Sequence, residues 1–300
     1  MSDLAAPLPG RDFDGVPVLP PLDSSWAMRR IRLSTGVDLA FTWRGGEGLP
    51  VLFLPANRTT RRIFDFVLAA LDPRCPVAVP DYRGLGESGT APGGGYGLDD
   101  HLDDLEDLMD ALGWERVAVV GQATGATLAL MLATRIPDRV VAVAAGDAAV
   151  SLRQDVFDLF LEQVAAHDLG FATRDEALAA TPFRAEWRRA VAEHWLDTAL
   201  REDGDGRLRW RYHTPAAVET QRALTEDLWP RIRVTQPTLL LHGEHCTVIN
   251  ADAMRTARKN IPQARFATLD GANHRLTQDN PDGFARLVGA FLRGHNVRTS

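Results

Sequence analysis

Val117-Ala118-Val119-Val120-Gly121-Gln122-Ala123-Thr124-Gly125-Ala126-Thr127-Leu128-Ala129-Leu130 is the stretch on which the reading of this chain turns. An apolar run of strand character leads directly into Gly-x-Ala-x-Gly, and a segment rich in small and apolar residues with helical composition follows. Glycines on both sides of the central residue allow a sharp, strained turn and let neighbouring chain pass close by. At the centre, Ala123 presents only a methyl group.

Outward from this turn the chain alternates short, nearly continuous apolar runs with helical segments. The runs are Val51 to Leu54, Val77 to Pro80, Val117 to Val120, Val140 to Ala145, Thr238 to Leu241 and Phe266 to Leu269. Continuous apolar character is what strands buried on both faces require. Leu98, Leu102, Leu105, Leu108, Met109 and Leu112 recur at helical spacing, with acidic residues between them, and predict a helix with one wet face. Upstream, Met28 to Leu33 and Val37 to Trp43 flank Ser34-Thr35-Gly36 and predict an antiparallel hairpin at a sheet edge. The expected fold is therefore α/β, a mostly parallel sheet with helices on both faces. The stretch 151–233 breaks the rhythm; it is helical in composition, rich in Arg and Glu, and holds Trp187, Trp195, Trp210 and Trp229. It reads as a helical cap inserted between core segments 26–150 and 234–295, with a proline-rich flexible arm over 1–25.

The 300 residues are 45% hydrophobic and 24% charged, which describes a globular chain able to bury a substantial core. A formal charge of -7 and a pI near 5.6 give no net attraction to nucleic acid or an anionic membrane. The start lacks the basic and apolar regions of a secretory signal, and no run approaches the roughly 20 apolar residues that span a bilayer. Cys75 and Cys246 are far apart and make no disulfide framework. A cytoplasmic protein with a small-molecule substrate and no cofactor is expected; the oligomeric state is not legible.

Two further motifs give the turn its context. Val79-Pro80-Asp81-Tyr82-Arg83-Gly84-Leu85-Gly86-Glu87-Ser88 precedes it by about one helix, and Gly271-Ala272-Asn273-His274 follows the last apolar run. In this order, and over roughly Arg29 to Leu292, the chain resembles the α/β-hydrolase superfamily. The resemblance implies a nucleophile elbow at Gly121 to Gly125, a histidine base at His274, a carboxylate that orients it, and two backbone N–H groups that stabilise an oxyanion. It also implies a serine where Ala123 stands. Alanine has no oxygen with which to form an acyl-enzyme. The hydroxyl of Thr124 leaves the elbow in another direction, and the Thr124 backbone N–H is the expected oxyanion donor, with that of Asn57 as the second.

The orienting acid is not where the family usually has it. After the run Thr238 to Leu241 the chain reads His242-Gly243-Glu244-His245-Cys246-Thr247; Cys246 and Thr247 cannot serve, and Glu244 lies too close to the strand. Some branches of the superfamily place this carboxylate after the preceding strand, where Asp147 stands, so an Asp147 and His274 dyad is expected. Adjacent His245 and Cys246, without further spaced ligands, give no metal site. Arg58 and Gln122 are candidate substrate contacts beside the elbow. Trp187 and Trp195 are candidates to roof a flat substrate, against a plain role in the core of the cap.

A histidine held by a carboxylate beside an oxyanion hole remains a general base without any nucleophile. It suits proton abstraction next to a carbonyl, with elimination, cyclisation, C–C cleavage or reaction with dioxygen as outcomes. The Leu-Pro opening of the oxyanion loop, the Val-Pro-x-x-Arg-Gly-x-Gly-x-Ser loop and Asp147 also resemble the cofactor-free ring-cleaving 2,4-dioxygenases of this fold, which retain the serine. Two alternatives stand beside this reading. One is an esterase, lactonase or C–C hydrolase inactivated by replacement of its serine with Ala123. The other is a non-catalytic pseudo-hydrolase that binds a ligand or partner.

Overall fold

Each expected apolar run forms a strand, and alternate residues of those strands feed opposite faces of one sheet. In the computed structural model, which describes residues 22–71 and 73–295, the strands are β1 (Ala27–Arg32), β2 (Asp38–Arg44), β3 (Val51–Leu54), β4 (Val77–Pro80), β5 (Val117–Gln122) and β6 (Val140–Gly146). A short pair, β7 (Leu200–Glu202) and β8 (Leu208–Trp210), precedes β9 (Thr238–Gly243) and β10 (Arg265–Leu269). The arm expected over 1–25 lies almost wholly outside the described residues.

Eight strands pair in the order β1-β2-β4-β3-β5-β6-β9-β10. β1 and β2 pair antiparallel, as do β2 and β4, and every other pairing in this sheet is parallel. The hairpin predicted from Ser34-Thr35-Gly36 is thus the edge, and the parallel core lies beyond it. In β5, Val117 and Val119 enter one apolar cluster while Ala118 and Val120 enter another. Burial on both faces explains why the core strands read as unbroken apolar runs rather than alternating ones.

Helices cover both faces. α1 (Asp65–Leu71) follows a 3-10 turn at Arg61–Phe64, and α2 (Leu98–Ala111) and α3 (Thr124–Arg135) come next. Leu102, Leu105 and Met109 of α2 join Ala126, Leu130 and Ala133 of α3 on one side. Phe66 and Val67 of α1 lie on the other, with residues of the C-terminal helix described below.

Between β6 and β9 the chain forms α4 (Gln154–Asp168), α5 (Arg174–Ala179), α6 (Arg189–Ala199), the β7–β8 hairpin and α7 (Thr214–Ala223). The helical composition of 151–233 gave no sign of that hairpin. Its two strands are only three residues each, too short for a period-two pattern to stand out. After β9 come α8 (Ala251–Asn260), α9 (Leu276–Asp279) and α10 (Pro281–Arg293), whose Phe284, Val288 and Phe291 complete the α1 face.

The Asp81 to Ser88 loop is structural. Buried Asp81 accepts from the Arg61 backbone N–H at 2.6 Å and from the Glu87 N–H at 2.9 Å, and it pairs with the buried Arg61 guanidinium. Ser88 donates its hydroxyl to the Asp81 carbonyl at 2.7 Å and accepts from the Ala40 N–H at 2.8 Å, tying this loop to β2. Arg83 makes two 2.6 Å bonds to Asp104 of α2. Among the described residues no helix is long and apolar enough to cross a membrane, and Cys75 and Cys246 are free.

Candidate active site

The turn between β5 and α3 is built as an elbow. Ala123 adopts φ 51° and ψ -115°, a conformation that costs a non-glycine residue of order 1–3 kcal/mol. Its N–H donates to the Gly146 carbonyl at 2.8 Å, and its carbonyl accepts from the Ala126 N–H at 3.0 Å, so β6 and the first turn of α3 hold it. The flanking glycines are required by approach distance: a Cβ on Gly125 would meet the Leu54 carbonyl oxygen at 2.0 Å, and one on Gly121 would meet the Gly125 oxygen at 2.2 Å. Strand, turn and helix are all committed to presenting residue 123 at the sheet's C-terminal edge.

Ala123 faces a pocket of about 70 Å³ whose walls also include Asn57, Gln122, Thr124 and His274. Thr124 opens α3, and its N–H, like that of Asn57, has no acceptor among the described residues. Free N–H groups at a helix N-terminus favour an anion. The Asn57 side chain is not available to a substrate: its amide nitrogen donates to the Ala217 carbonyl at 2.8 Å and to Gln221 Oε1 at 3.0 Å, and its Oδ1 accepts from the Arg58 N–H at 2.8 Å. Asn57 thereby fastens the loop after β3 to α7 of the cap.

Gln122 lines the pocket, but both ends of its amide are used internally. It donates to the His274 carbonyl at 3.1 Å and accepts from the Thr277 hydroxyl at 2.6 Å. Those bonds tie Gln122 to the histidine loop, while the residue keeps its expected place in the pocket wall. Asp279 anchors the same loop from the other side: it accepts from the Asn273 N–H at 2.8 Å, the Ala185 N–H at 2.9 Å and the Trp187 indole N–H at 2.6 Å.

Asp147 and His274 do meet. Asp147, at φ 47° just past β6, is buried, and its Oδ2 lies 3.5 Å from His274 Nδ1. That is long for a hydrogen bond, and Oδ2 has no hydrogen-bond partner. The other oxygen is held firmly, by His242 Nδ1 at 2.8 Å and the Gly243 N–H at 3.3 Å. Burial pushes the Asp147 carboxyl up, yet the bonds and charges of His242 and His274 outweigh it and hold the group below its ordinary value.

His242 is the member of this group that sequence reasoning missed. Its one signal was a histidine at the C-terminal end of an otherwise apolar core strand. Cys246 Sγ stands 3.5 Å from His274 Nδ1, on the side where the usual acid loop runs. Burial pushes its thiol up, and the nearby Asp147 charge adds to this, so it stays neutral. The ligand atoms of Asp147, His242 and Cys246 come within 4.8 Å of one another, a grouping that the spacing of His245 and Cys246 did not foretell. In this arrangement Asp147 Oδ1 and His242 are engaged with each other.

The cap closes the pocket with Val156 and Phe160 of α4 and with Pro182 and Phe183, the last packed edge-on to His274 at 6.3 Å. Trp187 and Trp195 are not in its wall. They pack against each other at 6.0 Å in the cap core, behind Arg275. Arg58 is in the wall, with its guanidinium 4.2 Å from the Phe160 ring and bonded to Gln163 at 3.2 Å. Arg275, which drew no notice in the sequence, lines the pocket beside it. A neighbouring cavity of about 480 Å³ under the cap shares Ala149, Leu152 and Val248 with the pocket.

Comparison with known proteins agrees with this architecture. The chain is 26% identical over 248 residues to 2-(acetamidomethylene)succinate hydrolase of Mesorhizobium japonicum, covering 82% of this chain and 89% of that protein. It is 26% identical over 289 residues to haloalkane dehalogenase 2 of Mycobacterium tuberculosis, covering 92% and 97%. A crystal structure of E-2-(acetamidomethylene)succinate hydrolase superposes with a TM-score of 0.80 at 24% identity, covering 89% of this chain and 99% of that one. Residues 50–281 match the alpha/beta hydrolase fold family, and the chain belongs to it.

Proposed function

We propose that this protein acts on a small carbonyl-bearing metabolite by acid–base chemistry in which no acyl-enzyme forms. The observation that carries the proposal is the elbow: its strained backbone and two unclaimed N–H groups surround a residue with no nucleophile, while His274 stands in the same pocket. With Nδ1 turned toward Asp147, Nε2 of His274 is the basic nitrogen. It takes a proton from carbon next to the substrate carbonyl, the electron pair moves to oxygen, and the N–H groups of Asn57 and Thr124 bind the resulting enolate. Asp147 fixes the tautomer and stabilises the imidazolium; His242 and the Gly243 N–H keep Asp147 in place. Elimination of a β leaving group or cyclisation onto a second carbonyl proceeds from this enolate, and His274 gives the proton to the leaving group or to the new alkoxide.

This is tested by deuterium exchange at the carbons flanking a ketone, read by NMR in heavy water. The unmodified chain accelerates exchange and His274→Ala does not; equal rates for both remove the reading.

A second reading is a hydrolase silenced at position 123. The undamaged elbow and the names of the relatives favour it. Under that reading the unmodified chain is inert in the exchange assay, and Ala123→Ser hydrolyses an activated ester through a serine that fluorophosphonate labels. Absence of labelling and hydrolysis in Ala123→Ser rejects it.

A further inference from the structure

Behind the pocket, buried polar atoms without well-formed hydrogen bonds converge on one small chamber. Arg58, His167, Thr181, Trp195, Tyr212 and Arg275 are among its walls, and Arg58, Pro182 and Arg275 line the pocket as well, so the two spaces adjoin. Four side-chain atoms there are out of contact with solvent and make no well-formed hydrogen bond: Arg58 Nη1, His167 Nδ1, Trp195 Nε1 and Tyr212 Oη, the Tyr212 hydroxyl lying close enough to Arg58 to favour its charge. A buried polar group left unmade costs about 1–3 kcal/mol, and more if it is charged. Four around one void is not what a packed core tolerates.

Their chemistry is one-sided. The arginine and the indole can only donate, the phenol can donate or accept, neutral His167 has one donor and one acceptor nitrogen, and no carboxylate is among the residues that line the chamber, so donors outnumber acceptors. Two guanidiniums face the same space, and each suffers for it. Burial lowers the pKa of Arg58; burial first and the charge of Arg58 second bring Arg275 down to about 9, with only Asp279 pulling the other way. Asp279 is already taken by three donors. The Arg275 Nε bonds the Pro182 carbonyl at 2.8 Å, and its guanidinium lies 5.2 Å from the Trp195 ring, which fixes its direction. Burial also brings His167 down to about 4, so near neutrality it adds no third positive charge.

We infer that the space between Arg58 and Arg275 is a carboxylate subsite, completed by Tyr212 and Trp195, and that the substrate is an organic anion whose carboxylate enters it while its carbonyl lies at Asn57 and Thr124. The inference rests on the proposed function only for what happens at the carbonyl. A planar carboxylate matches the fork of a guanidinium, and two such forks line this space. Trp195 thus contributes its N–H, not the ring face that the sequence brought to mind.

The test is calorimetric binding of levulinate, which has one carboxylate and one ketone, against acetonylacetone, its neutral counterpart. Levulinate binds the full-length protein at least tenfold more tightly. Arg58→Gln and Arg275→Gln each lose roughly tenfold or more, the size of a charge-assisted hydrogen bond. Tyr212→Phe removes a buried hydroxyl that interacts with Arg58 and leaves the ring in place, so the protein still folds and binds levulinate several-fold more weakly. Arg189→Gln, on the exposed side of α6, has no effect. Equal affinity for the two compounds, or affinity for levulinate unchanged in Tyr212→Phe and both arginine variants, overturns the subsite. Binding needs no turnover, so loss of the acid–base reading leaves this result intact. Conversely, acetonylacetone also carries exchangeable protons beside its ketones, so exchange of that compound tests the base without the subsite.

Discussion

Asp147 serves two histidines at once: its Oδ1 accepts from His242 Nδ1 at 2.8 Å while its Oδ2 faces His274 Nδ1 at 3.5 Å. Under the proposed function the short contact is the anchor and the long one the working contact, which tightens when His274 becomes an imidazolium.

Asp147→Asn removes that support. We expect ketone exchange to fall by about two orders of magnitude, within the span that general acid–base groups contribute. Cys246→Asp introduced into the same variant sets a carboxylate beside His274 Nδ1 from the other loop, where Sγ now lies 3.5 Å away. Partial recovery of the rate is the expected outcome; no recovery argues that Asp147 has a role other than orienting His274.

The same carboxylate makes acid stability predictable. Its folded pKa is depressed, so it contributes stability above its ordinary value of about 3.9 and loses it as pH falls toward the lower folded value. Melting temperatures of the unmodified chain and Asp147→Asn should differ most near neutrality and converge below about pH 4. A gap that widens in acid contradicts the assignment.

Ala123→Gly isolates the strain in the elbow. Glycine relieves a positive φ at a cost of order 1–3 kcal/mol to alanine, against the roughly 0.5–1 kcal/mol of extra chain entropy it loses on folding. Chemical denaturation should show a gain of about 1 kcal/mol. Gly125→Ala has the opposite sign, because its Cβ overlaps the Leu54 carbonyl; a loss of about 3 kcal/mol is expected. A destabilised Ala123→Gly would mean that the elbow is not strained.

Asp81→Ala leaves the buried Arg61 guanidinium with only Glu87, at 3.5 Å, as a carboxylate, and the Arg61 and Glu87 N–H groups lose their acceptor. Breaking one side of such a pair costs about 3–5 kcal/mol. Denaturant midpoints read it directly, and a loss under about 1 kcal/mol would show that the loop relaxes around the gap.

The fold was legible in the sequence because strands such as Val51–Leu54 are buried on both faces and so appear as uninterrupted apolar runs. The elbow was legible because Gly121 and Gly125 are demanded by backbone contacts only a few residues or one strand away. Asp147 and His274 could be found because both sit at strand ends, where topology fixes their meeting. The chamber could not. Arg58, His167, Tyr212 and Arg275 come from four separate segments, and what unites them is one small space that they line together, which no spacing encodes.

The most direct measurement is deuterium incorporation beside the ketones of levulinate and acetonylacetone, catalysed by the unmodified chain and by His274→Ala. A base held by Asp147 and facing two oxyanion donors gives exchange well above the buffer rate, lowered by about 10²–10⁴ in His274→Ala. Exchange at the buffer rate with the unmodified chain, for both compounds, contradicts the claim that this site catalyses without a nucleophile.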